Sequence, residues 1–236
     1  MKDAREAGAA RLAVVFLAGD CEDGAYHLGW VAAADVVVAA DGGAGFLLAA
    51  GVSPDLVVGD FDSLPAARVA QLEAAGVELV RHPVRKDLTD GELAVAEARR
   101  RGAGELVLAG GLGALDHTLG HLAVLRRQEE QGVPSRLVAP RLTVRVVTAP
   151  AEVTLDAAPG ARVSLVPIGT DAVVTLAGLA YPLARGVLPA GACLGLGNSV
   201  TRPGASIVLH EGVVAVLVEV GTETFGGRCR PWRAAE

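Results

Sequence analysis

Leu56-Val57-Val58-Gly59-Asp60-Phe61-Asp62-Ser63-Leu64-Pro65 joins a short apolar run to two carboxylates and then to a helix start. Leu56-Val57-Val58 reads as a buried strand, and Ser63-Leu64-Pro65 as the opening of a helix with Ser63 as its cap. A strand running directly into a helix is the unit of a parallel α/β sheet, whose ligands gather beyond the carboxyl ends of the strands. Asp60 and Asp62 stand at that place. Hard dications such as Mg²⁺ prefer carboxylate oxygens and usually hold phosphate as well. Taken alone, the pair could equally do no more than shape a turn.

Outward from this stretch, strand and helix alternate up to about residue 139. Candidate strands are Leu12–Leu17, Asp35–Ala39, Leu56–Val58, Val77–Val80, Glu105–Ala109 and Arg136–Val138. Helical patterns lie between them at Ala25–Ala33, Ala44–Ala50, Pro65–Ala75, Asp90–Arg101 and Thr118–Gln131. Gly51, Gly76, Gly102 and Gly132 follow several of these, as helix-ending glycines do. After Pro140 the runs are short and β-branched: Leu142–Val147, Val153–Leu155, Arg162–Val166, Val173–Leu176, Ser206–Leu209 and Val213–Val218. Gly, Pro and Asp turns separate them, which predicts an antiparallel sandwich. The expected plan is an α/β parallel-sheet N-terminal domain over residues 1–139, followed by an all-β sandwich C-terminal domain over 140–236.

Composition limits the function classes. With 236 residues, 51% hydrophobic and 3% aromatic, the chain can bury a large core, but one built from Ala, Val and Leu. Net charge is −6, and the densest basic run, Arg99-Arg100-Arg101, falls at a helix end where the dipole explains it. Nucleic-acid binding is therefore not expected. The longest charge-free stretch, Gly186 to Thr201, is interrupted by Gly, Pro and Asn, so no membrane span is expected. Met1-Lys2-Asp3-Ala4-Arg5-Glu6 has no signal-peptide pattern, and neither end reads as a long disordered tail. Cys21, Cys193 and Cys229 are odd in number and lack metal-ligand spacing, which suits reduced thiols in a cytoplasmic protein.

Four polar clusters follow strands of the first half. They are Asp41-Gly42-Gly43-Ala44, Gly59–Ser63, Lys86-Asp87-Leu88-Thr89-Asp90, and Gly110-Gly111-Leu112-Gly113-Ala114-Leu115-Asp116-His117. Singly, each has an ordinary explanation. Asp41-Gly42-Gly43 reads as a tight turn, Asp90 as an N-cap supported by Glu92, Lys86 as a solvated lysine, and His117 as a histidine at a helix start. The Gly110–Gly113 run matches neither a P-loop nor a dinucleotide fingerprint. Together on one sheet edge they supply carboxylates for metal, glycines for close backbone approach, a lysine for phosphate and helix N-termini for anions. One phosphate site accounts for all of them.

In this order the clusters resemble thiamine pyrophosphokinase, in its bacterial form. The matching stretches are Asp41-Gly42-Gly43-Ala44, Ser53-Pro54-Asp55 into Gly59-Asp60-Phe61-Asp62-Ser63, Lys86-Asp87-Leu88-Thr89-Asp90-Gly91-Glu92, and Asp116-His117-Thr118-Leu119. Leu176-Ala177-Gly178-Leu179-Ala180-Tyr181-Pro182-Leu183 is similar to the family's sandwich segment, and Gly195-Leu196-Gly197-Asn198 falls at its Ser-Asn substrate loop. The match runs over roughly residues 12 to 220 in order and with compatible spacing. It implies transfer of the pyrophosphoryl group of ATP to the hydroxyethyl oxygen of thiamine, giving thiamine diphosphate and AMP. It also implies that Asp60, Asp62 and Asp90 hold Mg²⁺ with Asp87 close by, and that Lys86 and Thr89 contact phosphate. Asp41, Gly42, Gly43 and Asp116 would border the nucleotide and the reacting groups, Asp60, Asp62, Asp90 and Asp116 forming the catalytic set. Gly197 and Asn198 would bind the substrate, Asn198 at the aminopyrimidine. The family plan is a homodimer whose substrate pocket draws on two subunits.

Three positions depart from the family pattern. Ala114 stands for an arginine, His121 for an asparagine, and Gly197 for the serine of the substrate loop. A diphosphokinase of the same fold acting on another hydroxyalkyl heterocycle, such as a pterin, stays open on account of Gly197. So does a nucleotide- or thiamine-binding protein without turnover, although the carboxylates of Asp60, Asp62 and Asp90 are all present.

Overall fold

A computed structural model describes residues 10–21 and 23–219. Both chain ends and Cys229 lie outside them, as does the expectation of short tails. The chain divides between Gly111 and Leu112 into two compact units.

The first unit is a parallel sheet with helices in its crossovers. Its strands are β1 Arg11–Phe16, β2 Val36–Ala40, β3 Leu56–Gly59, β4 Glu78–Arg81 and β5 Ala103–Ala109, in the order β5-β1-β2-β3-β4. All four pairings are parallel. Helices α1 Gly24–Ala33, α2 Ala44–Ala49, α3 Ala66–Ala74 and α4 Asp90–Arg100 connect them. Every residue of β2 and β3 is buried, so these strands read as continuous apolar runs instead of alternating ones. Trp30 and Phe16 are the largest fully buried side chains in a core otherwise rich in Ala, Val and Leu.

Two aspartates set the strand register. Asp35 precedes β2 and accepts the backbone N–H of Leu12 at 2.9 Å; Asp55 precedes β3 and accepts that of Val37 at 2.7 Å. Each carboxylate pairs an N–H near the start of the neighbouring strand. Asp35 is therefore not itself a strand residue, as the apolar pattern suggested, but the acceptor just before one. The helix starts also differ from expectation. α3 begins at Ala66 after Pro65, with no side-chain cap, and the Ser63 hydroxyl instead donates to Asp62 Oδ1 at 3.1 Å.

The second unit begins with helix α5, Leu115–Glu130, three residues earlier than predicted because Ala114 supplies no capping side chain to mark the start. The strands that follow are β6 Ser135–Ala139, β7 Leu142–Thr148, β8 Ala151–Thr154, β9 Arg162–Pro167, β10 Ala172–Ala177, β11 Leu183–Leu188, β12 Asn198–Ser199, β13 Ser206–Glu211 and β14 Val213–Glu219. They form antiparallel layers ordered β12-β9-β14-β7-β6 and β11-β10-β13-β8. Val163, Leu165 and Val216 from one layer share a core with Val174, Leu176, Ile207 and Leu209 from the other. This is a sandwich, with inward and outward residues alternating along β10. The sequence pattern missed β11 because Arg185, at φ +48°, and a register shift against β10 break its alternation.

No helix among the described residues is long and apolar enough to cross a membrane.

Asp35 offers a direct test of the register device. Asp35→Ala leaves the N–H of fully buried Leu12 without its acceptor, so unfolding free energy in denaturant should fall by about 1–3 kcal/mol. An unchanged denaturation midpoint would show that the carboxylate is dispensable.

Candidate active site

Asp41 follows β2 directly, in a 3-10 turn over Asp41–Gly43 that leads into α2. Its φ is +39°, a left-handed conformation that aspartate tolerates better than most residues. Only 6% of the residue is exposed, and its Oδ1 is buried without a hydrogen-bond partner. Glycines allow this placement. A Cβ at Gly43 would fall 2.2 Å from the Phe16 carbonyl oxygen, and one at Gly59 would fall 2.8 Å from Asp41 Cβ.

The loop after β3 brings up the next two carboxylates. Phe61 sits between them at φ +65°, with its ring buried and the Arg81 guanidinium 4.7 Å from the ring centroid. That anchored, left-handed residue sets the turn on which Asp60 and Asp62 stand. Asp60 Oδ1 accepts the Asp62 N–H at 3.3 Å. One carboxylate oxygen from each of Asp41, Asp60 and Asp62 lies within 4.8 Å of the others.

Lys86 closes the group from the loop before α4. Its Nζ donates to Asp60 Oδ2 at 2.6 Å and lies 3.2 Å from Asp90 Oδ1. Lys86 is therefore not a solvated surface lysine. Its hydrogen bond, helped by the Asp62 N–H, holds the Asp60 carboxyl below the usual aspartate range. Asp60 in turn raises the Lys86 ammonium above its ordinary value. Both groups are charged through the neutral range.

Asp90 opens α4 but does not cap it. Thr89 is the cap: its hydroxyl accepts the Glu92 N–H at 3.2 Å, and the Glu92 carboxylate accepts the Thr89 N–H at 3.0 Å. This capping box occupies the Thr89 side chain. Asp87 is exposed on the same loop.

The structure thus groups Asp41, Asp60 and Asp62, and links Asp90 to Asp60 through Lys86. Sequence reasoning put Asp90 in the metal set and Asp41 outside it. The available signal was an aspartate directly at the end of a fully buried strand, followed by two glycines. In the second unit Asp116 lies exposed in the first turn of α5, its Oδ1 accepting the His117 N–H at 2.8 Å. Gly197 has φ +73°, so a serine there would be strained, and its N–H donates to Ser164 Oγ at 3.1 Å. Asn198 is buried, and its amide is engaged with the protein itself. Oδ1 accepts the N–H groups of Tyr181 and Ser199, and Nδ2 donates to the Tyr181 carbonyl at 2.9 Å. It braces the segment that presents Tyr181, a residue 71% exposed.

Carboxylate oxygens beside an ammonium, at the strand ends of a parallel sheet, have the chemistry of a site for phosphate groups. The comparisons with known proteins give the family. The family model for the catalytic domain of thiamin pyrophosphokinase matches residues 29–136, and that for its vitamin B1 binding domain matches residues 151–214, together more than half of the chain. The chain belongs to the thiamin pyrophosphokinase family. It is similar to the thiamine pyrophosphokinase of Bacillus subtilis (strain 168), at 26% identity over 183 residues, 76% of this chain and 85% of that protein. The crystal structure of thiamin pyrophosphokinase from Geobacillus thermodenitrificans is similar at TM-score 0.76 and 27% identity, covering 90% of this chain and 99% of that one. The Candida albicans enzyme shares the fold, with TM-score 0.75 at 13% identity over 89% and 90% of the two chains. As a member of this family, the chain is a transferase that makes thiamine diphosphate, with ATP as co-substrate.

The Lys86 contact has a titration signature. The stabilisation it gives is present above the ordinary aspartate range and is lost as pH falls through the lowered Asp60 midpoint. In Lys86→Met, carboxyl-carbon NMR should show that midpoint moving up toward the usual range; an unmoved midpoint would contradict the assigned hydrogen bond.

Proposed function

We propose that pyrophosphoryl transfer takes place over the acidic turn after β3, with Asp41, Asp60 and Asp62 holding Mg²⁺. One observation carries this reading: three carboxylate oxygens within 4.8 Å, beside a buried Asp41 oxygen that has no hydrogen-bond donor. Such oxygen-only donors suit Mg²⁺, which keeps waters and binds substrate phosphates as well. When bound, the ion supplies charge stabilisation for the β- and neighbouring phosphates. Asp90 belongs to the same set in this reading, standing on the far side of Lys86.

The chain's own groups position the reactants. Lys86 offers a raised-pKa ammonium that stays protonated and meets phosphate oxygens, while Asp87 and Thr89 line its loop. The Asp41-Gly42-Gly43 turn borders the nucleotide, because its backbone admits no side chain at Gly43. The hydroxyethyl oxygen of thiamine attacks the β-phosphorus and AMP leaves, with Asp116 beside the reacting groups. Catalysis of this kind is mostly positioning and electrostatics. For thiamine itself, Gly197 and Asn198 shape the substrate loop, and Asn198 acts by holding residues 180–182 in place. The roles divide at the change in strand chemistry: residues 1–139 bind ATP and magnesium, residues 140–236 bind thiamine and dimerise. The spans of the two matching family models support this division.

We place the enzyme in the cytoplasm, in keeping with free Cys21 and Cys193, and assign it as a homodimer whose thiamine site draws on two subunits. Exposed Leu115, Leu119, Leu194 and Leu196 of the second unit support a second copy as the cover.

Purified protein given ATP, Mg²⁺ and thiamine should release AMP together with thiamine diphosphate. Asp60→Asn and Asp62→Asn should each lower turnover by about 100-fold or more, with unchanged circular dichroism, since metal charge stabilisation is worth several kcal/mol. Near-normal turnover in folded Asp62→Asn would remove that residue from the site. Light scattering should give twice the chain mass; a fully active monomer would refute the dimer.

A further inference from the structure

His117 and His121 stand one turn apart on α5, a helix of sixteen residues anchored through buried Val124, Leu125 and Gln128. Their ring centroids lie 6.4 Å apart, with planes inclined at 55°. His117 is exposed and His121 half-buried, and the adjoining Gly120 leaves open space where a side chain would stand. Residues at i and i+4 share one helix face, the spacing by which helical histidines chelate one ion. Two imidazoles bound tetrahedrally at about 2.0–2.1 Å place their centroids roughly 5 Å apart. The observed centroid separation exceeds that by about 1 Å.

We propose that His117 and His121 form a second metal site, for a borderline transition ion of the Zn²⁺, Ni²⁺ or Cu²⁺ class. Imidazole suits these ions and not Mg²⁺, which favours oxygen ligands, so the site is chemically separate from the acidic turn. With two protein ligands, the remaining coordination positions are left to water. The positive potential of the α5 N-terminus opposes any cation, while the Asp116 carboxylate in the same turn offsets it. The pair exists because His121 stands where the family resemblance expects asparagine. The site is thus a property of this chain, independent of the magnesium reading.

The test is calorimetric titration with Zn²⁺ in excess Mg²⁺, on protein carrying Cys193→Ser and Cys229→Ser so that these thiols cannot compete. One equivalent should bind, and adding His121→Asn should weaken that binding at least about tenfold, which corresponds to 1.4 kcal/mol. Cu²⁺ electron paramagnetic resonance should show two nitrogen ligands before the His121→Asn change and fewer after it. His121→Asn should keep the wild-type melting temperature and thiamine turnover, so a lost signal reads as a lost ligand. Equal Zn²⁺ affinity with and without His121, or no Zn²⁺ bound in excess Mg²⁺, would overturn the proposal.

Discussion

Carboxylates within 4.8 Å of one another repel, and the first unit is organised around holding Asp41, Asp60 and Asp62 together against that repulsion. Two features of the fold make the grouping tolerable. Lys86 places its ammonium between Asp60 and Asp90, and α4 presents its N-terminal end beside them, the end of a helix that favours negative charge. Neither meets the buried Oδ1 of Asp41. A buried carboxylate oxygen without a donor is costly, and this is the place where a bound cation has most to offer. The same logic accounts for the glycines. Gly59 admits Asp41 against the end of β3 and Gly43 admits the turn against β1, so close approach of backbone here serves the position of a carboxylate.

Much of the fold was legible because the governing signals are local. Buried parallel strands such as Val36–Ala40 and Leu56–Gly59 appear as unbroken runs without a polar residue, and residues such as Gly76 and Gly102 mark where helices stop. The acidic turn was legible for the same reason, since Asp60 and Asp62 follow a strand within four residues. What escaped were relations between distant segments. Lys86 bonds to Asp60 across 26 residues, and Asp41 reaches the Asp60 turn only because β2 and β3 are neighbours in the sheet. A linear pattern cannot see that one ammonium bridges Asp60 and Asp90.

The second unit was legible in outline and less so in detail. Alternating burial along Ala172–Ala177 is the sandwich signal, whereas Leu183–Leu188 loses it to a bulge at Arg185. Asn198 shows what the sequence does not reveal about a side chain's partners: its oxygen and nitrogen both bond to the Tyr181 backbone. Its amide continues the pairing begun by Leu179 with Val200 and by the Ala180 N–H with the Ser199 carbonyl. The loop is therefore held from beneath by the chain's own hydrogen bonds.

Backbone strain follows the same geography. Among the described residues, non-glycine positive φ occurs at Asp41, Phe61 and Arg185; Phe61 lies within the acidic turn and Asp41 belongs to the carboxylate group it forms. Each such conformation costs of order 1–3 kcal/mol and persists only where its surroundings over-determine it. For Phe61 those surroundings are explicit: a buried ring, covered by Arg81, at the edge of the parallel sheet. For Asp41 they are the fully buried strand before it and the Gly43 contact with the Phe16 carbonyl. A glycine at position 61 would adopt the same φ without strain but would give up the ring that fixes the turn. The sequence thus keeps a strained aromatic where an unstrained residue was available, and the result is that Asp60 and Asp62 stand on a turn held by the core.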